Sequence, residues 1–145
     1  MGKDRAFTFD AAFGLGSSQE EVFEKCVKNQ VLGCFQGFNA TVLAYGQTGS
    51  GKTYSMGSGQ TIGLDEREIG IIPRVIRMLF SEIEKRKFKA EFIIKCTFLE
   101  IYNEELHDLL DPGAGAGVDR FIQKKDISIR EEKNGSITVY GLREE

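Results

Sequence analysis

Ala40–Thr53, ATVLAYGQTGSGKT, decides how the rest of this 145-residue chain is read. Its second half, Gly46–Thr53, satisfies G-x-x-x-x-G-K-S/T at every position. Glycines so placed let successive backbone N–H groups point into one concavity, and the helix opening after them adds its positive dipole end. That geometry binds phosphate. Lys52 reaches the β- and γ-phosphates as a point charge, and the Thr53 hydroxyl is placed to ligate a magnesium ion bridging the same groups. The first half, Ala40–Tyr45, is an apolar run too short for a helix, and its near-continuous apolarity predicts a strand covered on both faces. Glycines return at Gly57 and Gly59, so the helix expected after the loop is interrupted four residues past Thr53.

Toward the N-terminus, RAFTFDAAF alternates Phe7 and Phe9 and predicts a short strand. Ser18 with Glu21 forms a capping box, and Val22, Phe23, Cys26, Val27, Val31 and Cys34 recur at helical spacing behind it. The spacing predicts a helix over Gln19–Phe35, stopped by Gly37. Beyond the loop, Pro73 suits a first helical position, and Ile72, Val75, Ile76, Leu79, Phe80 and Ile83 share one face. The cations of Lys85–Lys89 read as a solvated helix end favoured by the dipole. Glu91–Tyr102 is a long strand candidate and NEELHDLL a short helix, with His107 a surface residue among acids rather than a base or metal ligand. Asp111–Gly117, DPGAGAG, lacks the Lys and Ser/Thr of a second phosphate site and reads as a flexible loop. The final segment alternates about Asn134-Gly135, a hairpin signal. Helices interleaved with strands favour an α/β sheet over a helical bundle.

The chain is 41% hydrophobic and 28% charged with a formal charge of -3, the profile of soluble domain material. A negative balance argues against a general nucleic-acid binder, so an anionic partner has to be met by a local basic patch. No apolar run approaches the roughly 20 residues of a membrane span, and MGKDRAFTFD lacks the apolar core of a signal peptide. The expected setting is the cytoplasm. Cys26, Cys34 and Cys96 are odd in number and form no Cys-x-x-Cys pair, which predicts buried reduced thiols.

Binding is not hydrolysis, which also needs an acid near magnesium and groups that position water. The sequence contains no D-x-x-G. Glu100 follows an apolar run, yet the β pattern continues through Ile101 and Tyr102, and the serines of GLGSSQEE read as a helix cap. No residue of this chain is put forward as catalytic. A small nucleotide kinase would need an arginine-bearing lid that RAFTF and IPRVIR do not make. A non-enzymatic role, binding nucleotide or a partner without turnover, stays open.

Gly37–Met56, GFNATVLAYGQTGSGKTYSM, resembles the nucleotide-binding signature of kinesin motor domains well beyond the generic loop pattern. FTFDAAFGLGSSQEEVF, GIIPRVIRMLF and FLEIYNEELHDLL resemble, in order, the kinesin segments around it. The resemblance implies a P-loop NTPase-like kinesin motor fold, a mixed sheet flanked by helices, incomplete in this chain. It implies that residues 1–145 are the N-terminal portion of a motor domain, without its first strand or its switch and microtubule-binding half. ATP with magnesium would be held by Gly46, Gln47, Thr48, Gly49, Ser50, Gly51, Lys52 and Thr53, with Thr53 on the metal. Tyr54 matches the position beside the adenine, where an aromatic ring can stack. The implied partner is the microtubule, through tubulin, and the terminal hairpin resembles a tubulin-touching segment, making Arg130 and Lys133 candidates beside Glu131 and Glu132. Further implications are a microtubule-cytoskeletal location extending to spindle or chromosomes, a dimer with a coiled coil in the longer protein, and the chromosome-associated branch. The interruption after Met56 is then a family surface loop, about Gly57 to Gly70, with the helix resuming at Ile71 and Ile72. The apolar strand at Ala40–Tyr45 expects neighbours on both edges, and without them the chain is expected to be marginally stable or to associate.

Overall fold

Ser18 opens the first helix, α1 (Gln19–Cys26), by accepting the Glu21 N–H on its Oγ at 3.1 Å in this computed structural model, which describes residues 6–57, 63, 65–111 and 127–145. Glu21 completes the box. A hydrogen bond and the charge of Lys25 hold its carboxyl below the usual carboxylate value, and the Ser18 N–H adds to this. The helix expected to run unbroken to Phe35 is instead two segments, with α2 (Lys28–Cys34) following a distortion at Val27 (φ -119, ψ -38). Val27 is β-branched and stiff, yet its N–H still reaches Phe23 O at 2.9 Å and its carbonyl accepts Val31 N–H at 3.1 Å. Gly37 ends α2 as expected. Its N–H bonds Cys34 O and the Phe38 N–H bonds Gly33 O, both at 3.1 Å, the paired bonds of a Schellman cap.

Two compact units divide the chain, Met1–Glu91 and Phe92–Glu145. In the first, Gln19, Phe23, Val27 and Val31 are buried at a spacing of four and form one narrow stripe. Ile71, Val75, Met78 and Leu79 of α4 (Ile71–Arg86) pack against it, together with Met56 of α3 (Lys52–Met56). Each fully buried side chain of this kind contributes about 1.5–3 kcal/mol. Because the stripe is narrow, Cys26 and Cys34 fall to its side. All three cysteines are free, but they are exposed rather than buried as expected.

α4 starts two residues before Pro73, after an N-cap at Gly70. Pro73 is tolerated there because the first N–H groups of a helix have no intrahelical partner. The packed face is also rotated from the expected one: Ile76 and Phe80 are exposed while Ile71, Met78 and Glu82 turn inward. This helix is apolar on two sides and its neighbours cover one of them. At its end, buried Glu82 accepts from Lys85 at 2.6 Å and from Arg86, whose guanidinium also lies 4.6 Å from the centre of the Phe35 ring. The Lys85 hydrogen bond, then that of Arg86, holds the Glu82 carboxyl below its ordinary 4.5. The folded form therefore binds this proton less readily than the unfolded chain. Its stabilisation is full above that ordinary value and is lost as pH falls through the folded value. Glu82→Gln is expected to flatten the acid limb of stability; urea midpoints at pH 7 and pH 3.5 that shift equally in both proteins would contradict this.

Several expected strands are absent among the described residues. Residues 6–9 and 40–45 carry no regular structure, and residues 91–98 precede a strand of only four residues, β1 (Leu99–Tyr102). Strand propensity is realised only against a hydrogen-bonded neighbour, and no described segment forms a ladder with residues 6–9 or 40–45. Leu43 and Tyr45 are 84% and 95% exposed in consequence. Open apolar edges invite pairing between chains. Light scattering of this chain is expected to rise with concentration as it melts; a sharp, reversible, concentration-independent melt of a monomer would refute this.

In the second unit, NEELHDLL is not the expected helix but half of a hairpin. β1 pairs antiparallel with β2 (Glu105–Asp108), from Leu99 opposite Asp108 to Tyr102 opposite Glu105. Asn103 (φ 47) and Glu104 (φ 64) are both left-handed, as in the type I′ turn that matches strand twist. Asn tolerates that region well. Buried Asp108 accepts the Leu110 N–H at 3.0 Å and the Arg143 N–H at 2.6 Å, and Cys96 exchanges two backbone bonds with Glu145. The expected hairpin about Asn134-Gly135 is present, joining β3 (Ser128–Glu131) to β4 (Ile137–Tyr140) with Glu131 opposite Ile137. Asn134 Oδ1 accepts from both the N–H and the hydroxyl of Ser136. His107 is half-exposed on β2, 3.8 Å from Glu105. The Asp111–Gly117 loop lies outside the described residues except for Asp111.

Candidate functional site: the Gly46–Thr53 loop

The site begins where the polypeptide turns at Gly46–Ser50, with the Ser50 N–H on Gln47 O at 3.2 Å. Gly49 (φ 78) and Gly51 (φ 91) are left-handed, and a Cβ at either would meet nothing within 4 Å, so these glycines serve backbone conformation and leave the loop open. Gly46 (φ 158) serves both conformation and space. A Cβ there would lie 2.5 Å from the Ser50 hydroxyl, which folds back over it.

Lys52, the first residue of α3, returns its ammonium to the loop and donates to Gly46 O and Gln47 O, each at 2.7 Å. The cation thus sits over the Gly46–Ser50 turn. The first N–H groups of α3 have no intrahelical acceptor and add to it. Thr53 and Tyr54 follow, both exposed, Tyr54 at 58%. A cation over a glycine-rich turn, beside the start of a helix and an exposed hydroxyl, is a donor set that fits a polyphosphate and its metal. A cavity of about 440 Å³ opens between α1 and residues 41–45, with Ser50, Gly51 and Lys52 on its wall.

α3 is only five residues long because Gly57 (φ 70) caps it, its N–H on Thr53 O at 2.8 Å. The expected interruption from Gly57 to Gly70 is therefore present at both ends, although residues 58–62 and 64 lie outside the described ones. The two ends meet. A Cβ on Gly70 would stand 2.4 Å from Gly57 N and 2.7 Å from Ser55 O, so the two glycines let the loop close on itself at its base. Arg74 reinforces the closure by donating to Ile69 O at 2.9 Å and Glu66 O at 2.7 Å, and Arg77 pairs with the Glu66 carboxylate.

Sequence reasoning missed two contributors. One is this glycine contact, whose partners stand thirteen positions apart. The other is Gln19, buried at 5% exposure, whose Nε2 donates to Tyr54 O at 2.7 Å. A signal was available: Ser18 and Glu21 account for the cap of α1 and leave a large amide at its first position unexplained.

Arg130 and Lys133 lie in the other unit, one on β3 and one in the turn after it. Arg130 Nε donates to Ser128 Oγ at 3.2 Å and its guanidinium lies 5.2 Å from the Tyr140 ring centre, whereas Lys133 is exposed in the turn. Tyr140 donates to Glu132 at 2.6 Å, and this bond pushes its phenol above the usual value. Glu100 is exposed on β1 opposite His107.

A family model described as the kinesin motor domain matches residues 1–145. The chain is 50% identical to the human chromosome-associated kinesin KIF4B over 145 residues, covering 99% of this chain and 11% of the relative. The solved structure of a fast kinesin aligns with a TM-score of 0.79 at 35% identity, covering 95% of this chain and 36% of that one. The Drosophila kinesin NOD, crystallised with divalent manganese and ADP, aligns with a TM-score of 0.67 at 38% identity, covering 74% of this chain and 38% of that one. NOD has also been docked with bovine tubulin into a map of its nucleotide-free complex with the microtubule. The chain spans about a tenth of the length of the curated relatives it matches, between 7% and 11%.

Proposed function

The chain belongs to the kinesin motor-domain family, and from that premise we propose that Gly46–Thr53 binds ATP and magnesium for a microtubule-based motor. The observation that carries this reading is Lys52 Nζ, held by the carbonyls of Gly46 and Gln47 over a turn where a Cβ at Gly49 or Gly51 would meet nothing within 4 Å. The backbone of Gly46, Gln47, Thr48, Gly49, Ser50 and Gly51 cradles the phosphates, Lys52 neutralises them, Thr53 ligates magnesium and Tyr54 flanks the adenine. Manganese and ADP in the NOD crystals support a nucleotide with a divalent ion as the ligand class. When bound, the metal supplies charge neutralisation between phosphates.

Microtubules are the partner in this reading, supported by the docking of NOD with tubulin. Arg130 and Lys133 are the candidate contacts, and a cytoskeletal location extending to spindle or chromosomes follows from the likeness to a chromosome-associated kinesin. Residues 1–145 act as the N-terminal portion of the motor domain. Residues 1–145 contain no D-x-x-G acid to serve magnesium and water, so nucleotide binding rather than turnover is the role assigned to this stretch.

Phosphate release with and without microtubules, for the wild-type chain and Lys52→Ala, tests the whole reading. MgATP binding without stimulated release is expected. Microtubule-stimulated release that Lys52→Ala abolishes would overturn the assignment of binding without turnover to these residues, and failure of the wild type to bind MgATP would overturn the site itself.

A further inference from the structure

Gln19 is buried at the first position of α1, where the cap needs nothing from its side chain. A buried amide has to find a partner, and this one reaches Tyr54 O, 35 residues along the chain, at 2.7 Å. Helices shorter than about 12 residues are marginal by themselves because nucleation is costly. Within α3 and its ends, the Ser55 N–H bonds Gly51 O and the Gly57 N–H bonds Thr53 O, both at 2.8 Å. Tyr54 O is the next carbonyl after Thr53 O, in the last turn of α3, where a helix needs donors from outside its own ladder. Its donor comes from a different helix.

We propose that Gln19 is a positioning residue for the nucleotide site, capping the Tyr54 carbonyl so that the C-terminal half of α3 and the Tyr54 side chain are fixed to α1. The inference rests on the nucleotide reading above, in which Tyr54 flanks the adenine. The phosphate end of α3 is secured separately, by Lys52 on Gly46 and Gln47. Loss of the Gln19 bond therefore acts on the adenine end more than on the phosphate end. The position demands a donor: glutamate would bring a charge and a second acceptor to a buried side-chain position facing a carbonyl, while methionine keeps the length and volume without the N–H.

Two measurements on the chain test this, one of them independent of nucleotide. In Gln19→Met without nucleotide, amide hydrogen exchange at Ser55 and Gly57 is expected to accelerate about tenfold, with Val27 and Val31 keeping wild-type rates. The Kd for MgATP is expected to rise about fivefold, and that for inorganic tripolyphosphate less than about twofold, the scale of one aromatic contact. Gln19→Glu moves both readouts further in the same direction. Unchanged exchange at Ser55 and Gly57 overturns the proposal. So does an equal loss of both ligands accompanied by faster exchange throughout α1, which marks a residue that only holds the fold. Faster exchange in a chain whose wild type binds neither ligand overturns the nucleotide reading, and the positioning role with it, while leaving the capping bond in place.

Discussion

Lys52→Ala is expected to weaken MgATP binding by about 100-fold, with little change in thermal stability. A hydrogen bond involving a charged partner contributes about 1.5–3 kcal/mol. Lys52 serves the β- and γ-phosphates in the proposed complex, so a loss near 3 kcal/mol, about two decades in Kd, follows. Stability is spared because the ammonium's own bonds go to the carbonyls of Gly46 and Gln47 at a loop surface, where water replaces it. Calorimetric titration with MgATP and a parallel melt separate the two effects. Affinity within threefold of wild type would remove Lys52 from the site.

Gly70→Ala is expected to lower stability by about 2–3 kcal/mol, at the upper end of overpacking costs. The added Cβ would stand 2.4 Å from Gly57 N, 2.6 Å from Gly57 Cα and 2.7 Å from Ser55 O. All three are backbone atoms, so no side chain can swing aside and α3 has to move relative to the start of α4. Gly57→Ala costs more. Its Cβ would meet Gly70 N and Cα at 2.8 Å, and φ of 70 adds about 1–2 kcal/mol for a left-handed alanine. Against a total of about 5–15 kcal/mol for a stable domain, either change is a large fraction. Urea midpoints for both variants at pH 7 measure it, and a wild-type midpoint for Gly70→Ala would show that the two loop ends are not in contact. MgATP affinity should fall together with stability in these variants, unlike Lys52→Ala, because the helix that carries the site is displaced.

The phosphate loop, the Ser18 cap, the Gly37 stop and the 128–140 hairpin were legible in the sequence. Each depends on residues within a few positions of one another: Ser18 on Glu21, Gly37 on Gly33 and Cys34, Asn134 on Ser136. The segment Asn103–Leu110 was misread because its leucines and acids fit a helix, whereas two left-handed residues at Asn103 and Glu104 fold it back on β1. Ala40–Tyr45 was read as a covered strand from apolarity alone, and apolarity does not provide the hydrogen-bonded neighbour that makes one.

By itself, the sequence determined where the glycine-rich turn at Gly46–Thr53 lies and which donor types it carries, since both are set by eight consecutive residues. It also determined that Gly57 and Gly70 bound an interruption. Only the tertiary structure decided why both are glycine, which face of α4 packs, that Cys26 and Cys34 stand outside the core stripe, and that Gln19 holds Tyr54. Those outcomes are close approaches between segments distant in the chain, where a clash of a few tenths of an ångström or one buried donor outweighs any local preference.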